Sequence, residues 1–555
     1  MSARVVSTLM AVAALLSAPG GAQAAHSGGA ATFMTAADVD YLDPGLTYYT
    51  FGYMVQHAVN RPLYSFRPGQ AAPVPDLAEG PPQVSDDGRT VTVRLRGGVR
   101  YAPPVGREVV AGDVEYAIER AFFDNVANGY ATTYFSELEG ARPHAAAGRD
   151  IPGVEAVDDR TLVLRLTAPV GEMVAAALAM PITVPVPREV AAPRDRFRPS
   201  TYDDAVAFTG PYMVTSWERG RRMELGRNPN WDPATDFRPA YLDSITILEG
   251  RDDLVAASRR ALRGSRLMCC DGSAPTSRAL VRRYGAQVGR VPSGGSRWIA
   301  LNTRIEPFDD VDVRRAVVAG MDRRALLESR GAPGSVAQHF LPPGLPGFAE
   351  SGGARGFRDL DFLRHPGGNR SLARRYLRRA GYRDGRYSGR RRLLMVGTNA
   401  DPGRATAREA ARQLRRLGFR IRLALVPQNV AYTVFCGVPR ARVAICANVG
   451  WFKDIHDAEA MLRPTFSGAE IKPAGNFNWS QLRVPAIDRA MDAAEAVPAG
   501  PERDAAWGRI NHDVSAQAPG VPYAWEDAVQ FASADLEAAM NPYSTTWDLA
   551  FTGLR

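Results

Sequence analysis

Lysine is almost missing from this 555-residue chain: Lys453 and Lys472 stand alone among 68 basic residues, the rest being arginine. Cysteine is scarce too, with four residues in all, too few for a disulfide-built scaffold. The seven histidines are scattered. None sits at ligand spacing from a cysteine, so no zinc site is expected. The chain has no Walker loop, no G-x-S-x-G, no H-E-x-x-H and no S-x-x-K. These absences argue against an enzyme and against any cofactor or metal. Long apolar runs are also lacking; residues 173–187 are broken by Pro181, Pro185 and Pro187, so no lasting membrane span is expected.

What is present is ordinary for a globular protein, with 45% hydrophobic and 23% charged residues. The length predicts two or three domains. A net charge of +9 raises the question of nucleic acid. The densest arginine runs (Arg374-Arg375, Arg378-Arg379, Arg390-Arg391-Arg392) carry no stacking aromatic platform, so no nucleic-acid partner is expected. Arg4, an apolar run over residues 5–16 and the small residues Ala22-Gln23-Ala24 read as a secretory signal peptide over residues 1–25. The mature protein is therefore expected to be exported, periplasmic or at the cell surface. The first cysteine is Cys269, so a lipid on an N-terminal Cys is not expected.

In an oxidising compartment Cys436 and Cys446 are expected to close a disulfide loop, worth about 3 kcal/mol in the chain-entropy treatment. Metal binding is the alternative for that pair. For Cys269 and Cys270 a vicinal bridge, two thiols and pairing elsewhere all stay open.

Along the chain, residues 31–34 read as a strand and 48–63 as a helix. Asp86-Asp87-Gly88-Arg89 is a hairpin turn before an alternating strand at 90–95. A helix follows at 113–123 and a strand at 161–166. Residues 208–227 form two strands around Glu218-Arg219-Gly220. Residues 298–301 are a short buried strand. Asp309 or Asp310 then caps a helix carrying Val313, Ala316, Val317 and Met321 on one face, and Asp322 caps the next. Ser371 reads as the cap of a short helix ended by Gly381. Residues 393–396, 404–417 and 419–426 form a β-α-β unit, which implies parallel strands. Residues 441–446 read as a strand, and a helix runs through Met461-Leu462.

The passage WIALNTRIEPFDDVDVRRAVVAGMD from Trp298 to Asp322, with FTGPYMVTSWERGRRMELGRNPNW from Phe208 to Trp231, resembles the family 5 extracytoplasmic solute-binding proteins of bacterial ABC transporters. The similar passages span roughly residues 31–530. The resemblance implies an α/β, two-lobed periplasmic-binding-protein-like (class II) fold with an additional α+β subdomain inserted in the first lobe. The expected division is 26–63 and 168–290 in lobe one, 64–167 in the inserted subdomain, 291–518 in lobe two, and 519–555 returning to lobe one.

It also implies a receptor that binds peptides in an interlobe cleft by hinge closure and delivers them to ABC transporter permease subunits in the membrane. A monomer is expected. The same fold holding a nickel chelate, an opine, a siderophore or a sugar is a second reading, and a secreted hydrolase a third.

The resemblance places the passage from Asn448 to Asp457 on the cleft. Its Asp454, three residues after Trp451, falls where the family's Asp meets the ligand's α-amino group; the plain alternative is that Asp454 or Asp457 caps the helix that follows. Gly450 allows close backbone approach, and Trp451 lines either cleft or core. Where some oligopeptide receptors carry an Arg, this chain has Asn448, and Lys453 either compensates or points to solvent. On lobe one, Leu42-Asp43-Pro44 brings Tyr48, Tyr49 and Tyr53 beside the cleft, suited to bonding backbone while accepting varied side chains.

Overall fold

Two long strands organise the molecule. In the computed structural model, which describes residues 25–555 apart from 36–38, 48–49, 127, 143–144, 252, 270–273 and 474, Val288–Leu301 and Gly520–Ala532 run antiparallel through the centre of an 11-stranded sheet. Their ladder is interrupted between Pro292 and Ser296. On one side of the break, Val288–Pro292 pairs with Asp527–Phe531, and the sheet continues through Leu267–Cys269, Ala30–Met34, Ser244–Leu248, Arg222–Arg227 and Tyr212–Glu218. On the other, the sheet passes to Ile445–Phe452, Arg392–Thr398 and Arg420–Val426. One sheet thus serves two separate cores and narrows to two strands between them.

The second core grows from the local signals. Asp310 Oδ1 accepts from the amide of Asp312 at 2.7 Å and caps Val311–Gly320; Asp322 Oδ1 accepts from Ala325 and caps Arg323–Arg330. Val313, Ala316, Val317 and Met321 bury one face against Ile299, Leu301 and Leu414. Arg392–Thr398 and Arg420–Val426 pair in parallel across the helix Gly403–Arg416, as a β-α-β unit requires.

Three expectations shift. The cap before Arg370–Arg379 is Asn369, whose side chain accepts from Leu372, because Ser371 already lies inside the helix. Residues 439–441 form a tight turn, and the strand begins at Ile445 and runs to Phe452, where its partner strand at Gly295–Leu301 holds it. The central strand extends far upstream of Trp298, since ladders on either side of the turn-like Pro292-Ser293-Gly294-Gly295 carry the chain across the break.

A four-stranded antiparallel sheet (Gln83–Val84, Thr90–Arg94, Thr161–Arg165, Val154–Asp158) packs with the helix Ala111–Arg120 into its own core. That module is tied to the first half by buried charge: Arg120 donates to Asp43 at 2.7 and 2.9 Å and to Asp195 at 2.9 Å, all three side chains fully or almost fully buried. Cys436 and Cys446 are joined by a disulfide, with Cα atoms 6.0 Å apart, which binds the segment at Ala431–Cys436 to the Ile445–Phe452 strand. Cys269 is buried; Cys270, like residues 1–24 of the expected signal peptide, lies outside the described residues.

Candidate functional site

The strand Ile445–Phe452 carries the Asn448–Trp451 passage on an element of the second half, and Lys453 and Asp454 leave its end where the two long strands cross between cores. The amide of Lys453 donates to Gly294 O at 3.0 Å. Gly294 has φ +66°, and a Cβ there would lie 2.7 Å from Lys453 Cδ, so glycine leaves the lysine its path.

Asp454 faces the other half. Its Oδ2 accepts from Tyr134 Oη at 2.6 Å, and its carbonyl accepts from Tyr543 Oη at 3.2 Å. Tyr134 belongs to the inserted module and Tyr543 to the C-terminal segment, so Asp454 is bridged by two elements across the interface. Next to it Ile455 is buried within the module's own core, as is Ala460. The two halves are therefore closed on each other here. Burial pushes the Asp454 carboxyl up to about 6 against the opposing pull of the Tyr134 hydrogen bond. Burial raises Tyr134 well above the usual phenol range, with the Asp454 charge adding to it.

Asp457 lies just before the N-cap Ala458 of the following helix. Its Oδ1 accepts from the amide of Glu459 at 2.8 Å at the start of Glu459–Phe466, while its Oδ2 pairs with Arg503 at 2.9 Å. Asp454 accepts no helix amide, so the alternative reading of the two aspartates divides between them.

Other expected residues sort differently. Trp451 donates through Nε1 to Ala460 O at 2.8 Å and lies 4.6 Å, centroid to centroid, from the exposed ring of Phe477. The space at Gly450 is taken by Arg297, whose Cδ would stand 2.5 Å from an added Cβ, so the close approach there is made by the protein itself. Asn448 accepts from Thr398 N at 2.9 Å and donates to Gly403 O at 2.9 Å. These two bonds hold the start of Gly403–Arg416 to the sheet. Tyr53 stacks on Tyr543 at 5.7 Å, and Tyr543 stacks on Phe66 at 4.8 Å. Tyr48 and Tyr49 lie outside the described residues.

Tyr130, Tyr134, Phe66 and Tyr543 were not singled out from the sequence. The four-residue spacing of Tyr130 and Tyr134 stacks their rings at 6.1 Å, and that spacing was the available signal. Tyr543 had none, since its neighbours come from distant segments.

An opening of about 390 Å³ persists between the halves, lined by Pro75, Pro81 and Pro82 on one side and Pro346, Gly500 and Asp504 on the other. Ser65 Oγ and His57 Nδ1 are 2.9 Å apart with Asp548 3.0 Å from Nε2. Ser65 is 2% exposed and the adjoining cavity holds about 30 Å³, room for a water or two but not for an acyl substrate. Among the described residues no helix is long and apolar enough to cross a membrane, and no group of three or more His, Cys, Asp or Glu is placed to hold a metal ion.

Residues 72–473 match the family described as bacterial extracellular solute-binding proteins, family 5. The oligopeptide-binding protein OppA of Bacillus subtilis (strain 168) is 24% identical over 385 residues, 68% of this chain and 66% of that protein. Protein XP55 of Streptomyces lividans is 32% identical over 46% of this chain and 42% of its own. The matched segments thus span about two thirds or less of those two relatives. Among solved structures, the clavulanic acid biosynthesis oligopeptide binding protein 2 superposes with a TM-score of 0.79 at 27% identity, covering 95% of this chain and 96% of that one.

Proposed function

We propose, from the premise that this chain belongs to family 5 of the bacterial extracellular solute-binding proteins, that it is an exported receptor of an ABC importer that takes up peptides. Two halves joined by the strands Val288–Leu301 and Gly520–Ala532 close over the ligand, and the closed complex docks on membrane permease subunits. The ligand leaves unaltered.

The observation that carries this reading is Asp454. It is a carboxylate in the closing surface, contacted from both the inserted module and the C-terminal segment, and no cation pairs with it among the described residues. A carboxylate so placed gains a charge-assisted hydrogen bond from a peptide's terminal ammonium, strengthened as closure removes water. The Tyr53, Tyr543 and Phe66 stack beside it provides flat apolar walls with hydroxyl edges, suited to a ligand held mainly through its backbone. Names of relatives agree, oligopeptide-binding in Bacillus subtilis and dipeptide-binding in Escherichia coli.

Calorimetry with a short-peptide mixture tests it. Asp454→Asn weakens binding about 10- to 100-fold, the worth of a charged hydrogen bond. Equal affinity of the variant and the parent overturns the assignment of Asp454.

A further inference from the structure

We propose that the second half carries a further ligand site, remote from the cleft: a hollow between the start of Arg370–Arg379 and the end of Gly403–Arg416 that takes an anion bearing two or more phosphate groups.

Five arginines, Arg370, Arg374, Arg386, Arg412 and Arg416, line this cavity of about 700 Å³, a volume in the range of small-molecule sites. Three carboxylates share the wall, and two of them are engaged. Glu409 is held by Arg412 and by Gln413 Nε2 at 2.7 Å, while Asp322 Oδ1 accepts from the amide of Ala325 at 3.0 Å and caps the helix there. The third, Asp384, is exposed. Arg370, Arg374, Arg386 and Arg416 have no ion pair among the described residues. Four guanidinium-bearing residues thus border one hollow without a counter-ion.

Helix electrostatics explain only part of this. Arg416 ends its helix, where the negative end of the dipole favours a cation. Arg370 stands at the opposite, positive end of Arg370–Arg379, whose first turn holds no acidic residue. A cation there is disfavoured, and an anion in the hollow reverses the sign. Guanidinium also suits phosphate, since its planar fork presents paired N–H donors to two oxygens.

The surroundings add attraction. Residues 370–392 hold ten arginines, every one exposed, against the single carboxylate of Asp384. That segment alone carries +9, as much as the whole chain, and it steers anions toward the hollow. Of the ten, Arg379 has a carboxylate partner, Asp312 at 3.3 Å.

The hollow is far from the cleft. Asn448, on the strand that leads to Asp454, donates to Gly403 O at the start of Gly403–Arg416. The helix then runs for 14 residues, about 21 Å at ~1.5 Å per residue, before it reaches the cavity at Arg416. The site is therefore separate from the cleft, whatever ligand that cleft takes.

Calorimetry on the full chain at fixed ionic strength, with pyrophosphate as the probe, tests it. The parent binds one pyrophosphate per protein, and Arg374→Gln/Arg416→Gln weakens binding about 10-fold or more. Arg390→Gln/Arg391→Gln, exposed neighbours outside the hollow, changes it less than about twofold. Arg370→Gln, also at an exposed position, gives the same loss as a single variant if the first pair lowers the urea midpoint.

Vesicles of phosphatidylglycerol in phosphatidylcholine identify the source of the phosphate. Displacement of pyrophosphate by vesicles that sediment the parent but not Arg374→Gln/Arg416→Gln assigns the site to a lipid headgroup; no displacement assigns it to a soluble anion. Equal losses in the two double variants reflect general attraction to a basic surface and overturn the site. Binding of neither pyrophosphate nor vesicles overturns it as well.

Discussion

At the scale of single residues, the proposed role of Asp454 requires it to be an anion at the moment of capture. In the closed protein its carboxyl titrates at about 6, above the ordinary 3.8. The closed, empty form therefore holds a proton more tightly than the open, solvated one. Lowering the pH through 6 favours that empty closed form and removes the charge a ligand ammonium needs. Peptide affinity accordingly falls below pH 6, by up to about tenfold per unit, whereas the Asp454→Asn protein gives a flat profile on a weaker baseline. Calorimetric titrations between pH 5 and pH 8 compare the two, and parallel profiles would refute the assignment.

This residue was legible because it sits in a motif with a strand before it and a helix after. Its partners were not. Tyr134 is 320 residues away and Tyr543 is 89 away, so their approach is a product of closure that no local pattern encodes. The link that Asn448 makes between Thr398 and Gly403 was equally hidden, since those partners lie about fifty residues upstream.

At the scale of elements, a buried ion cluster links the inserted module to the first half. Arg120 ends the module's helix and donates to both Asp43 and Asp195, with its own side chain fully buried. Arg120→Met leaves two buried carboxylates without a counter-charge. It should cost about 3–5 kcal/mol of stability, read as a lower urea midpoint. An unchanged midpoint would mean that the cluster contributes only packing.

The elements most legible in sequence were those whose periodicity and caps agree with their burial, such as Val311–Gly320 behind Asp310 and the β-α-β unit across Gly403–Arg416. The crossing strand was hidden, since Pro292-Ser293-Gly294-Gly295 carries every local mark of a turn. Pairing before and after these residues carries the strand across them, and Gly294, with its positive φ, falls where the halves are joined.

At the scale of the whole molecule, the architecture is two cores sharing one sheet that thins to two strands between them, with Asp454, Ile455 and Ala460 among the residues that meet the other half across the gap. Such a join permits rotation of one half on the other as a hinge, and a ligand shifts the balance by as much as it prefers the closed state. The central claim is that closure captures a short peptide and returns it intact. Native mass spectrometry of the full chain after incubation with a defined mixture of di- to hexapeptides tests that claim most directly. One intact peptide per protein is expected, recovered on release with its mass unchanged. A spectrum with no peptide adduct, or with fragments in place of the peptides supplied, would contradict it.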